Sequence, residues 1–218
     1  MRADVQNDMN RSISLFYGEV WPLCQMHCGG GDVLQMEGRP DSELRTLFDM
    51  KAGIDAWQLH DDGMRGIASR IQVIEPGYRP YDSFTIRMNR DSGAMTEYEK
   101  RCIAISSGRW LYPHLSIQAY AAAWTGPLLS IGISRTADII DFIKRGFHYL
   151  KRTSNAEFAV CKWDKMRSNG YAVRIIDEAE IKKLQGATHN GAQCDDRTTR
   201  DDRQDLHSQQ LSDTEYRC

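Results

Sequence analysis

Apolar and polar positions alternate most regularly over residues 83–90. Phe84, Ile86 and Met88 fall on one face, and Thr85, Arg87 and Asn89 on the other. A period of two marks a half-buried strand. The chain then turns at Arg90-Asp91-Ser92-Gly93, and the period changes. Thr96-x-x-Glu99 has the form of a capping box, whose hydroxyl and carboxylate satisfy backbone donors that the first helical turn leaves unpaired. The helix it opens pairs Glu97 with Arg101 at i,i+4 and places Ile103 on its apolar stripe. This strand, turn and helix, SFTIRMNRDSGAMTEYEKRCIAI, form the centre of the chain.

Around it the same two periods recur. Ile13, Phe16, Val20, Leu23 and Met26 are spaced for a helix over residues 12–27, which Pro22 bends or shortens and Gly29-Gly30-Gly31 stops. Arg39-Pro40-Asp41 belong to a polar connection, and residues 44–48 suit either a short strand or a helical turn. Strands are expected at 54–59 and 64–74, joined by the hairpin turn Asp61-Asp62-Gly63. Further strands fall at 115–121, 128–133, 158–163 and 171–176. A helix starts near Thr136, turns Ile139, Ile140 and Ile143 inward and ends at Gly146; shorter helices follow at 164–170 and 177–184. This mixed order predicts an α+β fold: a single domain over residues 12–185, with a mixed or mainly antiparallel sheet flanked by helices. Residues 1–11 are expected to be a flexible N-terminus, and 186–218 a disordered polar tail with few large apolar side chains.

Composition supports one real core: 218 residues, 41% hydrophobic and 9% aromatic. The net charge of −2 sets up no global basic field. From Gly186 onward there are seven acidic and four basic residues, which leaves residues 1–185 at about +1. Any contact with nucleic acid must therefore be local. Cys24, Cys28, Cys102, Cys161, Cys194 and Cys218 are scattered, and the first twenty residues are too polar for a signal peptide. A cytoplasmic protein with free thiols is expected. No apolar run reaches membrane-spanning length, so no membrane partner is expected.

The candidate chemistry is cationic and acidic at once. Arg87, Arg90 and Ser92 lie beside the positive end of the central helix, and Arg70 is expected on a neighbouring strand; together they would clamp phosphate. The plainer alternative is pairing with Asp82, Asp91 and Glu97. The acidic candidates are Asp55 and Glu97, then Glu19 and Asp49, with Lys100 as an accompanying cation; two carboxylates and a cation are what phosphodiester hydrolysis needs. Asp55 also fits the role of a simple turn residue. Cys24-x-x-His27-Cys28 offers at most three zinc ligands on one helix and reads better as partly buried helix residues. Trp57, Trp110, Tyr112, Tyr120 and Trp124 suit base stacking, but their apolar surroundings favour the core. His114 and His148 are lone histidines with structural roles expected. Neither a Gly-rich dinucleotide fingerprint nor a P-loop is present.

Two resemblances bear on these residues. The expected order of elements, with Glu19, Asp55 and a basic strand, resembles the core of the PD-(D/E)XK nuclease superfamily. That resemblance implies that Asp55 and a second acid hold a divalent metal while a lysine positions the attacking water; in this chain Asp55 and Glu97, supplemented by Glu19 or Asp49 and assisted by Lys100, would hold Mg²⁺. The chain departs from it at the second half-motif, because GIASRIQVI has Arg70 or Gln72 in place of acid-x-Lys, and arginine is no base at neutral pH. FTIRMNRDSGAMTE, with Ile67-Ala68-Ser69-Arg70, is similar to a segment shared by a group of tailed-phage and prophage proteins. The similarity extends over residues 12–105, with Met95 where the group has lysine. It implies a phage origin, a location in the host cytoplasm and a possible host protein partner, but brings no activity with it. Two functions are thus expected: a divergent metal-dependent endonuclease, or a non-enzymatic accessory protein that binds a nucleotide, nucleic acid or host partner through an Arg/Ser-Gly anion pocket.

Overall fold

The computed structural model describes residues 3–36, 52–61, 63–74, 82–108 and 111–191. The chain opens with a continuous helical run: α1 (Ala3–Leu15), a π-helical turn (Phe16–Val20), α2 (Trp21–Cys24) and a 3-10 turn (Gln25–Cys28). Helix therefore begins at Ala3, ahead of the expected start at residue 12. Pro22 sits in the first turn of α2, directly after the π-helical turn, so it lies within the continuous run and does not break it. Gly29 ends the run at φ 84°, a left-handed conformation that suits glycine. Met26, expected on the inward stripe, is 83% exposed because the helix tightens just before it.

The remaining elements are β1 (Asp32–Gln35), β2 (Ala56–His60), β3 (Gly63–Val73), β4 (Ser83–Arg90), α3 (Glu97–Ser107), β5 (Leu115–Ala121), β6 (Leu128–Arg135), α4 (Thr136–Lys144), β7 (Tyr149–Arg152), β8 (Ala156–Lys162), α5 (Trp163–Ser168), β9 (Val173–Asp177) and α6 (Glu178–Gly191). They form an α+β fold with two sheets. The first is six-stranded and mixed, in the order β1-β2-β3-β5-β6-β9, with β3 and β5 parallel and its other pairs antiparallel. The second is a three-stranded antiparallel sheet, β4-β8-β7. The β2–β3 hairpin turns where the Asp-Asp-Gly signal places it. Gly63 there adopts φ 153°.

The two faces of the large sheet do different work. On one, Ile67, Ile71, Ile117, Ala119, Ile131 and Ile133 pack against Phe16, Val20 and Trp21 of the N-terminal run and Ile181 of α6. The other face meets the small sheet. There Tyr120 of β5 joins Phe84 and Ile86 of β4, Ile139, Phe142 and Ile143 of α4, and Trp163 of α5. Gly132 lies against the Trp163 ring, where a Cβ would come within 2.3 Å of an indole carbon.

Several expectations change at this level. β1 and β7 had no element assigned to them, and residues 44–48 lie outside the described residues. Helix α6 runs past residue 184 to Gly191; residues 192–218 lie outside the described set. Ile103 of α3 is 47% exposed, while Arg101 is buried. Arg70 and Arg87 occupy strands of different sheets, not neighbouring strands of one. Cys24, Cys28, Cys102 and Cys161 are free. Among the described residues no helix is long and apolar enough to cross a membrane.

Candidate functional site

The two sheets do not close on each other completely. Where β3 and β5 of the large sheet face β4 of the small one, a cavity of about 370 Å³ opens, closed at one end by the first turn of α3. The sequence explains its polarity. Strand β5, Leu-Ser-Ile-Gln-Ala-Tyr-Ala, puts Ser116, Gln118 and Tyr120 on the face opposite its aliphatic residues, and all three are buried. In the parallel register Ala68 pairs with Ser116 and Arg70 with Gln118, so Arg70 shares that face. Thr85 and Arg87 come from the polar side of β4, Arg90 from its end, and Glu97, Lys100 and Arg101 from α3.

The helix start is built as the sequence requires. Thr96 accepts from the Glu99 N–H at 3.2 Å, and Glu99 accepts from the Thr96 N–H at 2.7 Å. This fixes the first turn and sets Glu97 at the centre of a cationic ring. Glu97 Oε1 accepts from Arg101 Nη2 at 2.6 Å, and Oε2 accepts from Arg70 Nη2 at 2.9 Å and the Arg87 backbone N–H at 3.2 Å. Burial by itself would raise the Glu97 carboxyl, but Arg101, then Arg70, then the Arg87 N–H and charge hold it down at about 2. Arg70 also donates to the Thr85 carbonyl at 2.8 Å and to the Thr85 hydroxyl at 3.0 Å, which joins β3 to β4 across the sheets.

Not all of the cationic capacity is used. Five cationic side chains (Arg70, Arg87, Arg90, Lys100 and Arg101) line the cavity against two carboxylates, Asp55 and Glu97. Arg87 Nε, Arg90 Nε, Arg101 Nε and Nη1, and Gln118 Nε2 are all buried without a hydrogen-bond partner. Arg101 is only 3% exposed and Gln118 only 2%. Buried donors normally find acceptors, and each one left orphaned costs on the order of 1–3 kcal/mol. The crowding also registers electrostatically. Burial, then Arg90 and Arg70, pull the Arg87 guanidinium below its usual range, with Glu97 opposing. Burial, with Arg70 adding to it, does the same to Arg101 against Glu97 and Asp55.

No protein-family model, curated protein or solved structure matches the chain.

Six residues singled out in the sequence line this one cavity: Asp55, Arg70, Arg87, Arg90, Glu97 and Lys100. Ser92 does not; it is exposed, and its Oγ accepts from the Ala94 N–H at 3.4 Å, shaping the turn. Glu19 is exposed on the π-helical turn, away from the lining residues. Asp49 and Trp110 lie outside the described residues. Arg101 was visible in the sequence only as the salt-bridge partner of Glu97. Gln118 and Ser116 were missed, although alternate polar positions within an otherwise apolar strand are their signal.

A divalent metal fits this donor set poorly. Both Glu97 oxygens are engaged by N–H donors, so a cation there would have to displace Arg70 and Arg101 and then sit among guanidinium groups. Asp55 Oδ2 accepts from the Ser69 N–H at 2.6 Å. Among the described residues no three His, Cys, Asp or Glu side chains are grouped closely enough to hold a metal. Zinc at Cys24, His27 and Cys28 fares no better. Burial pushes the Cys24 thiol up, and it pushes Cys28 to about 11 against Arg65, while the His27 ring faces Arg174 and Glu180. Trp57 and Tyr120 are core residues, as their apolar settings suggest.

Proposed function

We propose that this chain is an anion-recognition protein whose cavity binds the phosphoryl group of a nucleotide or nucleic acid, without metal chemistry. One observation carries the reading: Arg87, Arg90, Arg101 and Gln118, each with a buried N–H that has no acceptor, all line one cavity, which five cationic side chains share. A phosphoryl group brings several acceptor oxygens and more than one negative charge, and guanidinium groups pair with it through two parallel bonds. At about 370 Å³ the cavity falls within the range of small-ligand sites and would take a mononucleotide-sized group. Glu97 is then a positioning residue. It holds Arg70 and Arg101 against the wall, so a ligand meets guanidiniums that are already ordered.

The second reading is metal-dependent phosphodiester hydrolysis, favoured by Asp55, Glu97 and Lys100 sharing the cavity. Two measurements separate the readings. Thermal melting in EDTA with phosphate, pyrophosphate, a nucleoside monophosphate and acetate should show stabilisation by the phosphorylated ligands, strongest for pyrophosphate. Arg87→Ala and Arg90→Ala should each remove most of it. Cleavage of single-stranded, duplex or branched DNA or of RNA with Mg²⁺ or Mn²⁺, lost in Asp55→Ala and Glu97→Ala, would overturn the binding reading in favour of the nuclease.

A further inference from the structure

The cavity leads towards an exposed sheet edge, past a half-buried Phe158. In the small sheet Arg87 pairs with Phe158 of β8, and Phe158 pairs with Lys151 of β7, so the three form one row on one face. The neighbouring row on that face is Thr85, Val160 and Tyr149, of which Val160 is buried and Tyr149 exposed. The first row leads out of the cavity: the Arg87 and Arg70 guanidiniums lie 5.4 and 5.7 Å from the Phe158 ring centroid, and Arg87 and Arg70 are themselves cavity residues. At the far end β7 forms the sheet edge, and all four of its residues are exposed, Tyr149 to 46%. The charge runs the same way. Residues 144–162 contain five basic side chains and one acid, Glu157.

Resting on the phosphoryl reading of the cavity, we infer that this face binds single-stranded nucleic acid, with its terminal phosphate in the cavity and the adjoining nucleotides laid across Phe158, Lys151 and Tyr149. Three features select that partner. Arg101 is too deeply buried for the continuous backbone of a duplex to reach, whereas a terminal group can enter. Lys151 lies outward along the row that starts at Arg87, where it meets the next backbone charge. Tyr149 presents an exposed aromatic ring at the sheet edge on which an unpaired base can stack, and such stacking tolerates any base. A base within a duplex is already stacked and cannot use that ring.

The test is fluorescence anisotropy on the full chain in EDTA. The probes are single-stranded DNA and RNA of about 10 nucleotides, with and without terminal phosphates, the matching duplex, and pyrophosphate as competitor. A terminally phosphorylated single strand should bind more tightly than the mononucleotide, and pyrophosphate should displace it. Tyr149→Ala should weaken the strand about tenfold, and Tyr149→Phe should restore it. Lys151→Gln should make the salt dependence shallower by about 0.7 in log–log slope. None of these exposed-site variants should change the affinity for pyrophosphate. Pyrophosphate binding together with a strand that binds no better than the mononucleotide, and is indifferent to Tyr149 and Lys151, would overturn the inference and leave the cavity reading standing. Equal binding of the duplex, or of an acidic peptide of matched charge, would also overturn it. Failure of pyrophosphate itself to bind would remove the cavity reading on which the inference rests.

Discussion

Glu97 is the residue on which the site depends. Its carboxylate is the counter-charge that lets Arg70 and Arg101 stay close together, and they in turn keep it ionised at about 2. Because the folded value lies below the unfolded one, near 4.5, the stabilisation is fully present above about pH 5 and is lost as pH falls towards 2. Acid melting should therefore show a steep loss over that window. Glu97→Gln should flatten it and, by leaving buried guanidinium unpaired, lower stability at pH 7 by about 3 kcal/mol. An acid transition unchanged by Glu97→Gln would show that another carboxylate controls it. Gly132 is a second sensitive position. Adding a methyl group against the Trp163 ring should cost about 1–3 kcal/mol in Gly132→Ala, measurable by urea unfolding. Part of this was legible in the sequence. The i,i+4 spacing gave the Glu97–Arg101 pair, but Gln118 became a site residue only through its register with Arg70.

Helix α3 carries three lining residues in its first two turns, so its start sets their positions. Thr96→Ala removes the two hydrogen bonds of the Thr96 hydroxyl and should cost about 1 kcal/mol. It should also weaken pyrophosphate binding, because Glu97, Lys100 and Arg101 lose their fixed start; calorimetry beside urea unfolding separates the two effects. The capping box was plain in the sequence, as were β3, β5 and α4, where period and punctuation agree. The inward face of α3 was not. Apolar periodicity favoured Ile103, but the Glu97 carboxylate draws Arg101 inside and turns Ile103 outward. β1 and β7 escaped because they are four-residue edge strands, β7 fully exposed and β1 never more than half-buried, too short to show a period.

Across the whole molecule, the α+β class was legible in the sequence, but the arrangement that brings six of its candidate residues to one cavity was not. Arg70 and Arg87 looked like neighbours on one sheet. They are in fact on opposite walls of the gap between two sheets, drawn together by the Arg70 bonds to Thr85 and by Glu97. Pairing across that gap is a long-range choice that local periodicity does not encode. On the proposed reading, an anion held in the cavity would add bridges between the two layers, so its binding should raise stability. The account is tested most directly by titrating pyrophosphate calorimetrically into the wild-type chain and into Arg87→Ala, both in EDTA. One-site binding that needs no metal, weakened about tenfold or more by the substitution, is the predicted result. No binding at millimolar pyrophosphate, or binding that appears only with Mg²⁺ and disappears in Asp55→Ala, would contradict it.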